Sequence, residues 1–548
     1  MLVPVGCLAT GARTGRGLLT EVLSRDERFR GSLIATVRFL YAAACGQHAP
    51  CGMKSRLLSR TAVFAAALLS VPALVALSAP ATAGTTTSYV SPQGSDAAVG
   101  SAAAPFATIQ HAVDELGRGG GTVVVRAGSY AQRVSLHGVS DVTITAASGE
   151  HAVLDGSSLV VPTGRSALVD ISDSTDVTVR GLDITGYRTA DIKAMPIGIY
   201  VHGGDSGIAL DDNHVHDLGN DNGTLGSMAM NAHGIAVYGD SPDRPIGSLT
   251  IDGNEVDHLK LGASEAVVVN GNVAGWSITH NHVHDDNNIG IDAIGYEPTL
   301  PKAWRYTDLN RARDGVIGWN TVENIVSAGN PAYWSDGAWC DCADGVYVDG
   351  GTHITVAGNT VRAADIGIEV AAENPKGAAD HVKVTGNTVR DSRYVGIATG
   401  GYCDGGADCG GVRTGRSFAN TFTGNVMRNN NTDQDGSPQF LIQYHERDSR
   451  ITGNTICAGG SGTLLLGTVP RSTSGARDVV DDNVYSAQGA TAATSQWGWH
   501  GTTYTGLAAY RAATGLDADS TFRAACGTSP RPGPAGHQRL SSTSAGAA

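Results

Sequence analysis

Lysine and helical periodicity are both scarce in this 548-residue chain. Beyond residue 83 only Lys193, Lys260, Lys302, Lys376 and Lys383 remain. Between Gly181 and Asn483 no apolar pattern keeps a 3.6-residue period, which excludes a helical bundle or coiled coil. Positive charge is also short. The whole chain carries −14, and the first 83 residues hold nine Lys or Arg against three Asp or Glu, so the remainder sits at −20. Such a balance argues against nucleic acid and against anionic membranes as partners. The apolar run from Ala62 to Leu77 is short for a membrane span.

That run has the flanks of an export signal. Met53-Lys54-Ser55-Arg56 precedes it and Ala81-Thr82-Ala83 follows, a basic start and a small-x-small cleavage site. Residues 53–83 are therefore expected to be a secretory signal peptide cut before Gly84, with Met53 as the start. Residues 1–52 are expected to be an upstream extension outside the fold, and an extracellular protein is expected. Six cysteines follow the signal: Cys340, Cys342, Cys403, Cys409, Cys457 and Cys526. An even number in an exported chain predicts disulfides of open connectivity. Cys340-Asp341-Cys342 lacks the two-residue spacer of common structural zinc sites. The tail, 527–548, is Pro, Gly, Ser and Ala-rich and predicted disordered.

What the chain has in abundance is a degenerate repeat. Ile197-Gly198-Ile199-Tyr200-Val201, His233-Gly234-Ile235-Ala236-Val237, Ile289-Gly290-Ile291-Asp292, Asp344-Gly345-Val346-Tyr347-Val348-Asp349, Ile366-Gly367-Ile368-Glu369-Val370 and Val395-Gly396-Ile397 share one pattern. Between them recur Asn213, Asn254, Asn281, Asn320, Asn359, Asn387, Asn425, Asn454 and Asn483, in places 27 to 29 residues apart. Short β-branched runs between Gly and Asn are strands and turns. A coil of such strands cannot bury its apolar side alone, but stacked coils can. The recurrent Asn is expected to turn the chain at one corner in the left-handed conformation and to bond its stacked neighbour. The predicted fold is all-β, a parallel β-helix over 84–526.

At this point the chain resembles a family. Tyr89-Val90-Ser91-Pro92-Gln93-Gly94-Ser95-Asp96, Pro105-Phe106-Ala107-Thr108-Ile109-Gln110 and Gly121-Thr122-Val123-Val124-Val125 look like the opening of secreted, carbohydrate-active right-handed parallel β-helix proteins of the pectate-lyase-like superfamily. The resemblance implies a single-stranded right-handed solenoid. It also implies a short N-terminal capping helix over Thr108 to Leu116 and a small C-terminal closing segment around Leu507 to Leu516. That superfamily holds lyases, hydrolases, epimerases and non-enzymes, so it implies the fold and leaves the activity open.

Strand parity then sorts the side chains. One outward column runs Tyr200, Ala236, Val268, Asp292, Tyr347, Glu369, Ala398 and Gln443. The next runs His202, Tyr238, Asn270, Ile294, Asp349, Ala371, Gly400 and His445. Asp292, Asp349 and Glu369 thus share one solvent-facing patch of three consecutive coils, Asp349 and Glu369 about 8 Å apart at Cα and Asp292 and Glu369 about 9.6 Å. Exposed carboxylates are ordinarily solvated surface. Three in register repel one another, a cost that surfaces avoid unless a cation or substrate uses it. Paired carboxyl groups at such spacing suit glycosidic cleavage. Glu369, amid the cluster, is the candidate acid, Asp349 the nucleophile or base, and Asp292 the orienting group. Tyr333, Trp334 and Trp339 in the loop entering Asp344, Trp304 in the loop after Asp292, and Tyr347 are candidate substrate contacts, with Asp344, Glu297 and Glu373 as further carboxylates at strand ends.

The expected activity is a glycoside hydrolase acting on a polysaccharide or oligosaccharide, as a monomer and without a cofactor. The first alternative is a lyase acting on a uronate polymer, with Ca²⁺ held by Asp292, Asp349 and Glu369. A lyase of this superfamily commonly uses Lys or Arg as base, and no lysine falls in either column. The Gly-His-Gly and Arg-Ile-Lys signatures of the polygalacturonase branch are missing as well. The second alternative is a glycan-binding solenoid without turnover.

Overall fold

The computed structural model describes residues 86–335, 337–406, 411–470 and 472–526, all within one compact unit. The expected extension, signal peptide and tail (1–52, 53–83 and 527–548) lie outside these residues. Three parallel sheets of 13 strands each run the length of the unit. One coil illustrates the path. Strand Val273–Thr279 lies in the first sheet, His282–His284 in the third, and Ile291–Ile294 in the second. A loop then leads to Arg313–Gly318, which pairs in parallel with Val273–Thr279. This is a parallel β-helix, with the right-handed sense that parallel crossovers take.

Period-2 alternation fills the interior. In the third sheet Val215, Val256, Val283, Val322, Val361 and Val389 stack in register, and all are fully buried. Each buried Val side chain contributes about 1.5–3 kcal/mol. The repeat glycines have a steric cause. A Cβ on Gly345 would meet Val361 Cγ1 at 2.5 Å and the Gly367 carbonyl oxygen at 2.8 Å. On Gly367 it would meet Val389 Cγ1 at 2.2 Å and the Gly396 oxygen at 2.3 Å. The coils pack too closely there for any side chain.

The recurrent asparagines form one continuous buried ladder. Each Nδ2 from Asn213 to Asn454 donates to the Oδ1 of the Asn one coil on, at 3.0–3.1 Å. The same Oδ1 accepts the backbone N–H of the Asn before it, and Nδ2 also donates to a strand carbonyl. The expected stacking is there. The left-handed conformation is not at the Asn but one residue earlier: Asp212 (φ 52°), Gly253 (68°), His280 (55°), Trp319 (56°) and Asp482 (57°). The preceding residue makes the corner, which frees the Asn side chain to point inward along the stack.

Both ends are closed. Helix Ile109–Leu116 covers the first coil with Ile109, Ala112, Val113 and Leu116, and the Thr108 hydroxyl accepts from His111 N–H as its N-cap. At the other end strands Gln496–Trp499 and Thr502–Thr505 pair antiparallel, and helix Leu507–Thr514 follows. Trp497 is buried against Tyr485 and Tyr510, so the last coil exposes no open apolar edge. Disulfides join Cys340 to Cys342 and Cys457 to Cys526, and Cys403 is disulfide-bonded too. Cys409 lies outside the described residues. No described helix is long and apolar enough to cross a membrane.

Candidate active site

The second sheet brings the acids together. Asp292 pairs with Tyr347, Tyr347 with Glu369, and Asp349 with Ala371, so the two columns hold across these coils. The neighbours Ile291, Ala293, Val346, Val348, Ile368 and Val370 belong to the central core, so the acids point away from it. One register differs from the sequence expectation. Leu441, not Gln443, stands opposite Ala398. The apolar run Phe440-Leu441-Ile442 pairs two residues earlier, with Phe440 and Ile442 inward, so Gln443 and not His445 follows beside Gly400.

Solvent exposure is the larger correction. Asp292, Asp349 and Glu369 are only 2%, 6% and 4% exposed. Loops between the third and second sheets cover them from one side, and loops after the second sheet from the other. The result is a narrow chamber lined by five carboxylates, Glu265, Asp292, Glu297, Asp349 and Glu373, together with Met228, Tyr333 and Tyr347. It opens into a wider cleft of about 280 Å³ that shares Glu297, Asp349 and Glu373 and adds Arg305, Tyr306, Asn374 and Lys376.

The expected site residues divide accordingly. Asp292, Asp349, Glu373, Tyr333 and Tyr347 line the chamber or cleft. Glu369 and Asp344 line neither. They sit behind the chamber, where the Asp344 carboxyl hydrogen-bonds Glu369 and Gln443 Nε2 donates to Glu369 Oε1 at 2.8 Å. Trp334 and Trp339 pair across a short antiparallel ladder, rings 4.6 Å apart, outside the lining. Trp304 is 42% exposed and also outside it, while its neighbours Arg305 and Tyr306 line the mouth.

Glu297, expected at a strand end, follows the Asp292 strand and lines both chamber and cleft. One chamber acid, Glu265, was not among the sequence candidates. Glu265 occupies a third outward column, one residue before the repeat glycine: Ile197 pairs with His233, and Asp344 with Ile366. Ala266 occupies the glycine position, accepting from Gly234 N–H and donating to the Ile289 carbonyl. The shared offset of Glu265 and Asp344 from that position was a usable signal in the sequence.

Burial governs the charge state. It holds the carboxyls of Glu265, Asp292, Asp344 and Asp349 well above the usual carboxylate range, and neighbouring carboxylates push the same way. Glu373 is raised to about 8 by burial, then by Glu297, Glu369 and Glu265. Glu369 reaches only about 7, because Gln443 and Asp344 donate to it against the same burial. Asp344 therefore carries the proton of the Asp344–Glu369 pair. Glu373 N–H donates to Asp349 Oδ1 at 2.6 Å, which favours ionised Asp349. Satisfaction is incomplete: Glu265 Oε2, Asp292 Oδ1, Asp344 Oδ1, Gln443 Oε1 and Tyr402 OH are buried without a hydrogen-bond partner among the described residues, although His233 Nδ1 stands 3.6 Å from Glu265 Oε2.

Calcium finds no ready cage in the expected trio. Among the described residues, Asp292, Asp349 and Glu369 are not one of the groups whose donor atoms converge within 4.8 Å of one another. Glu369 is turned toward Asp344 and Gln443.

Comparison with known proteins follows the fold more than the chemistry. No family model matches the chain. Among solved structures it is similar to a GH136 lacto-N-biosidase from Eubacterium ramulus (TM-score 0.45, 14% identity, covering 80% of this chain and 68% of that one). It is also similar to the Streptococcus pneumoniae surface protein and adhesin PfbA (TM-score 0.44, 12% identity, covering 76% and 95%). In sequence it is 36% identical over 438 residues to the uncharacterized protein YwoF of Bacillus subtilis (strain 168), covering 79% of this chain and 87% of that protein. At that identity and coverage, the chain belongs to the YwoF family.

Proposed function

We propose that the protein is a carbohydrate-active enzyme, a glycoside hydrolase that cleaves a polysaccharide or oligosaccharide in the carboxylate-lined cleft. The observation that carries this reading is geometric: Glu373 and Asp349 stand together on one wall of the cleft, and Glu373 N–H donates to Asp349 Oδ1 at 2.6 Å. Cleavage of a glycosidic bond needs one carboxyl that keeps its proton and one that gives it up. Burial raises both carboxyls, and the Glu373 N–H opposes the rise at Asp349, so Asp349 is assigned the role that needs an ionised carboxylate and Glu373 that of proton donor. Glu373 protonates the leaving oxygen, and Asp349 acts as nucleophile or activates water.

The acid role thereby moves from Glu369 to Glu373, because Glu369 does not reach the cleft. Glu369 and Asp344 act as positioning residues behind Tyr347. Asp292, in the chamber lining, orients sugar hydroxyls with the Oδ1 that has no hydrogen-bond partner among the described residues. Tyr306 at the mouth is part-exposed, with Lys376 Nζ 4.8 Å from its ring centroid, and is assigned to sugar stacking.

A second reading, a polysaccharide lyase, draws support from Arg305 and Lys376 in the same cleft. Lys376 belongs to neither column but reaches the mouth from the loop after Glu373. The two readings separate in one assay. A panel of neutral and acidic polysaccharides is incubated with wild type, Asp349→Asn and Glu373→Gln, with and without EDTA, and products are identified by mass and ultraviolet absorbance. A hydrolase gives saturated products, is spared by EDTA, and loses on the order of 10³-fold in turnover in both variants. Unsaturated products would establish the lyase. Full activity in both variants would move the site elsewhere.

A further inference from the structure

The outer surface of the third sheet carries a histidine pattern that the cleft does not use. Successive coils bring Asp183-Ile184-Thr185, His214-Val215-His216, Glu255-Val256-Asp257 and His282-Val283-His284 into register. Ile184 and the three valines face the core, so the flanking side chains all face outward. The arrangement has a two-coil unit that occurs twice. A carboxylate on one coil, Asp183 or Glu255, lies directly opposite the first imidazole of the His-x-His strand on the next.

In each unit the donors converge. The ligand atoms of Asp183, His214 and His216 lie within 4.8 Å of one another, as do those of Glu255, His282 and His284. His216 Nε2 is 2.9 Å from Asp183 Oδ1, and His284 Nε2 is 3.3 Å from Glu255 Oε1. The two rings on each strand lie 4.0 Å apart. Asp257, between the units, meets His214 Nε2 at 2.7 Å.

We propose that these two units are two binding sites for a divalent transition-metal ion of the zinc class, each taking two imidazoles and one carboxylate. Imidazole and carboxylate together suit such an ion, and three protein ligands leave a fourth position for water. The strands fix the Cβ positions of all three ligands, so little order has to be gained on binding.

Histidine–carboxylate hydrogen bonds account for single pairs, and Asp183 is also met by His151 Nε2 at 2.7 Å. What they do not use is the convergence of two imidazoles and one carboxylate, which offers an ion three ligand atoms at once. The His353, Asp380 and His381 group differs, because Arg311 Nη2 already donates to Asp380 at 2.5 Å.

The test is calorimetric titration of the metal-stripped full chain with ZnCl₂ near pH 7.5, beside His282→Gln/His284→Gln, His214→Gln/His216→Gln and the quadruple variant. The expected result is two equivalents bound with a Kd of about 1 μM or tighter in wild type, one in each double variant and none in the quadruple. Zinc should also raise the melting temperature of wild type and leave the quadruple variant unmoved. Titration of wild type with Co²⁺ should give visible absorption bands, a measurement independent of whether any variant folds. No zinc binding by wild type, no cobalt bands, zinc binding retained in a folded quadruple variant, or equal binding of CaCl₂ would each overturn the proposal.

Discussion

The asparagine ladder and the acid cleft are both buried polar arrays built on the same stacked coils, and they are opposites. In the ladder each Oδ1 accepts two N–H groups from the coil before it and each Nδ2 donates onward. In and behind the cleft, at least five buried polar atoms have no hydrogen-bond partner among the described residues, and burial raises most of the carboxyls well above the usual range. Coil stacking amplifies whatever it repeats. An amide carries both donor and acceptor, so a column of amides closes on itself. A carboxylate only accepts, so a column of carboxylates remains open to protons, cations or the hydroxyls of a sugar. One array holds the fold, and the other keeps unsatisfied capacity for a ligand.

Breaking the ladder should have the largest effect on stability. Asn320→Ala removes the acceptor for Asn281 N–H and Nδ2 and the donor to Asn359 and Ile278. Two buried donors left unpaired cost about 1–3 kcal/mol each, so a loss of about 4 kcal/mol is expected in urea denaturation at constant m-value.

Titrating the cleft should act more gradually. Glu369 is raised to about 7 and Glu373 to about 8, from ordinary values near 4.5. The folded state therefore binds protons that the unfolded chain has released. This contribution to stability is complete below about pH 4.5 and is lost as pH rises through 7 and 8. Melting temperature should fall over that window, and a bound glycan should reduce the fall. A melting temperature that rises steadily from pH 5 to 8 would contradict these protonation states.

Smaller effects bound the comparison. Tyr306→Ala should raise KM for a cleaved glycan by about fivefold, through loss of about 1 kcal/mol of stacking, with kcat little changed. Arg180→Ala breaks an exposed ion pair with Asp212 on the outer surface and should change stability by less than about 0.5 kcal/mol.

The contrast also explains what was legible in the sequence. The columns of Asp292, Asp349 and Glu369 followed from period 2 and from the repeat glycines, because steric contact between coils leaves little freedom in register. The ladder was legible for the same reason. Burial was not, because it depends on where long loops fold back, and these have no repeat to fix them. Hence Glu373 and Lys376, on the loop after Ala371, gained importance, while Glu369 withdrew behind Tyr347. Gln443 was displaced because Phe440-Leu441-Ile442 is apolar on both faces and its parity cannot be read from hydrophobicity.

The most direct test of this account is the stability of Asp292→Asn against wild type, by urea denaturation at pH 8. If the cleft stores desolvated carboxyls for a ligand, replacing one with a neutral amide of the same shape should stabilise the protein at pH 8 while lowering turnover. A loss of stability comparable to that of Asn320→Ala would mean that Asp292 is part of the scaffold, and would contradict the division between ladder and cleft.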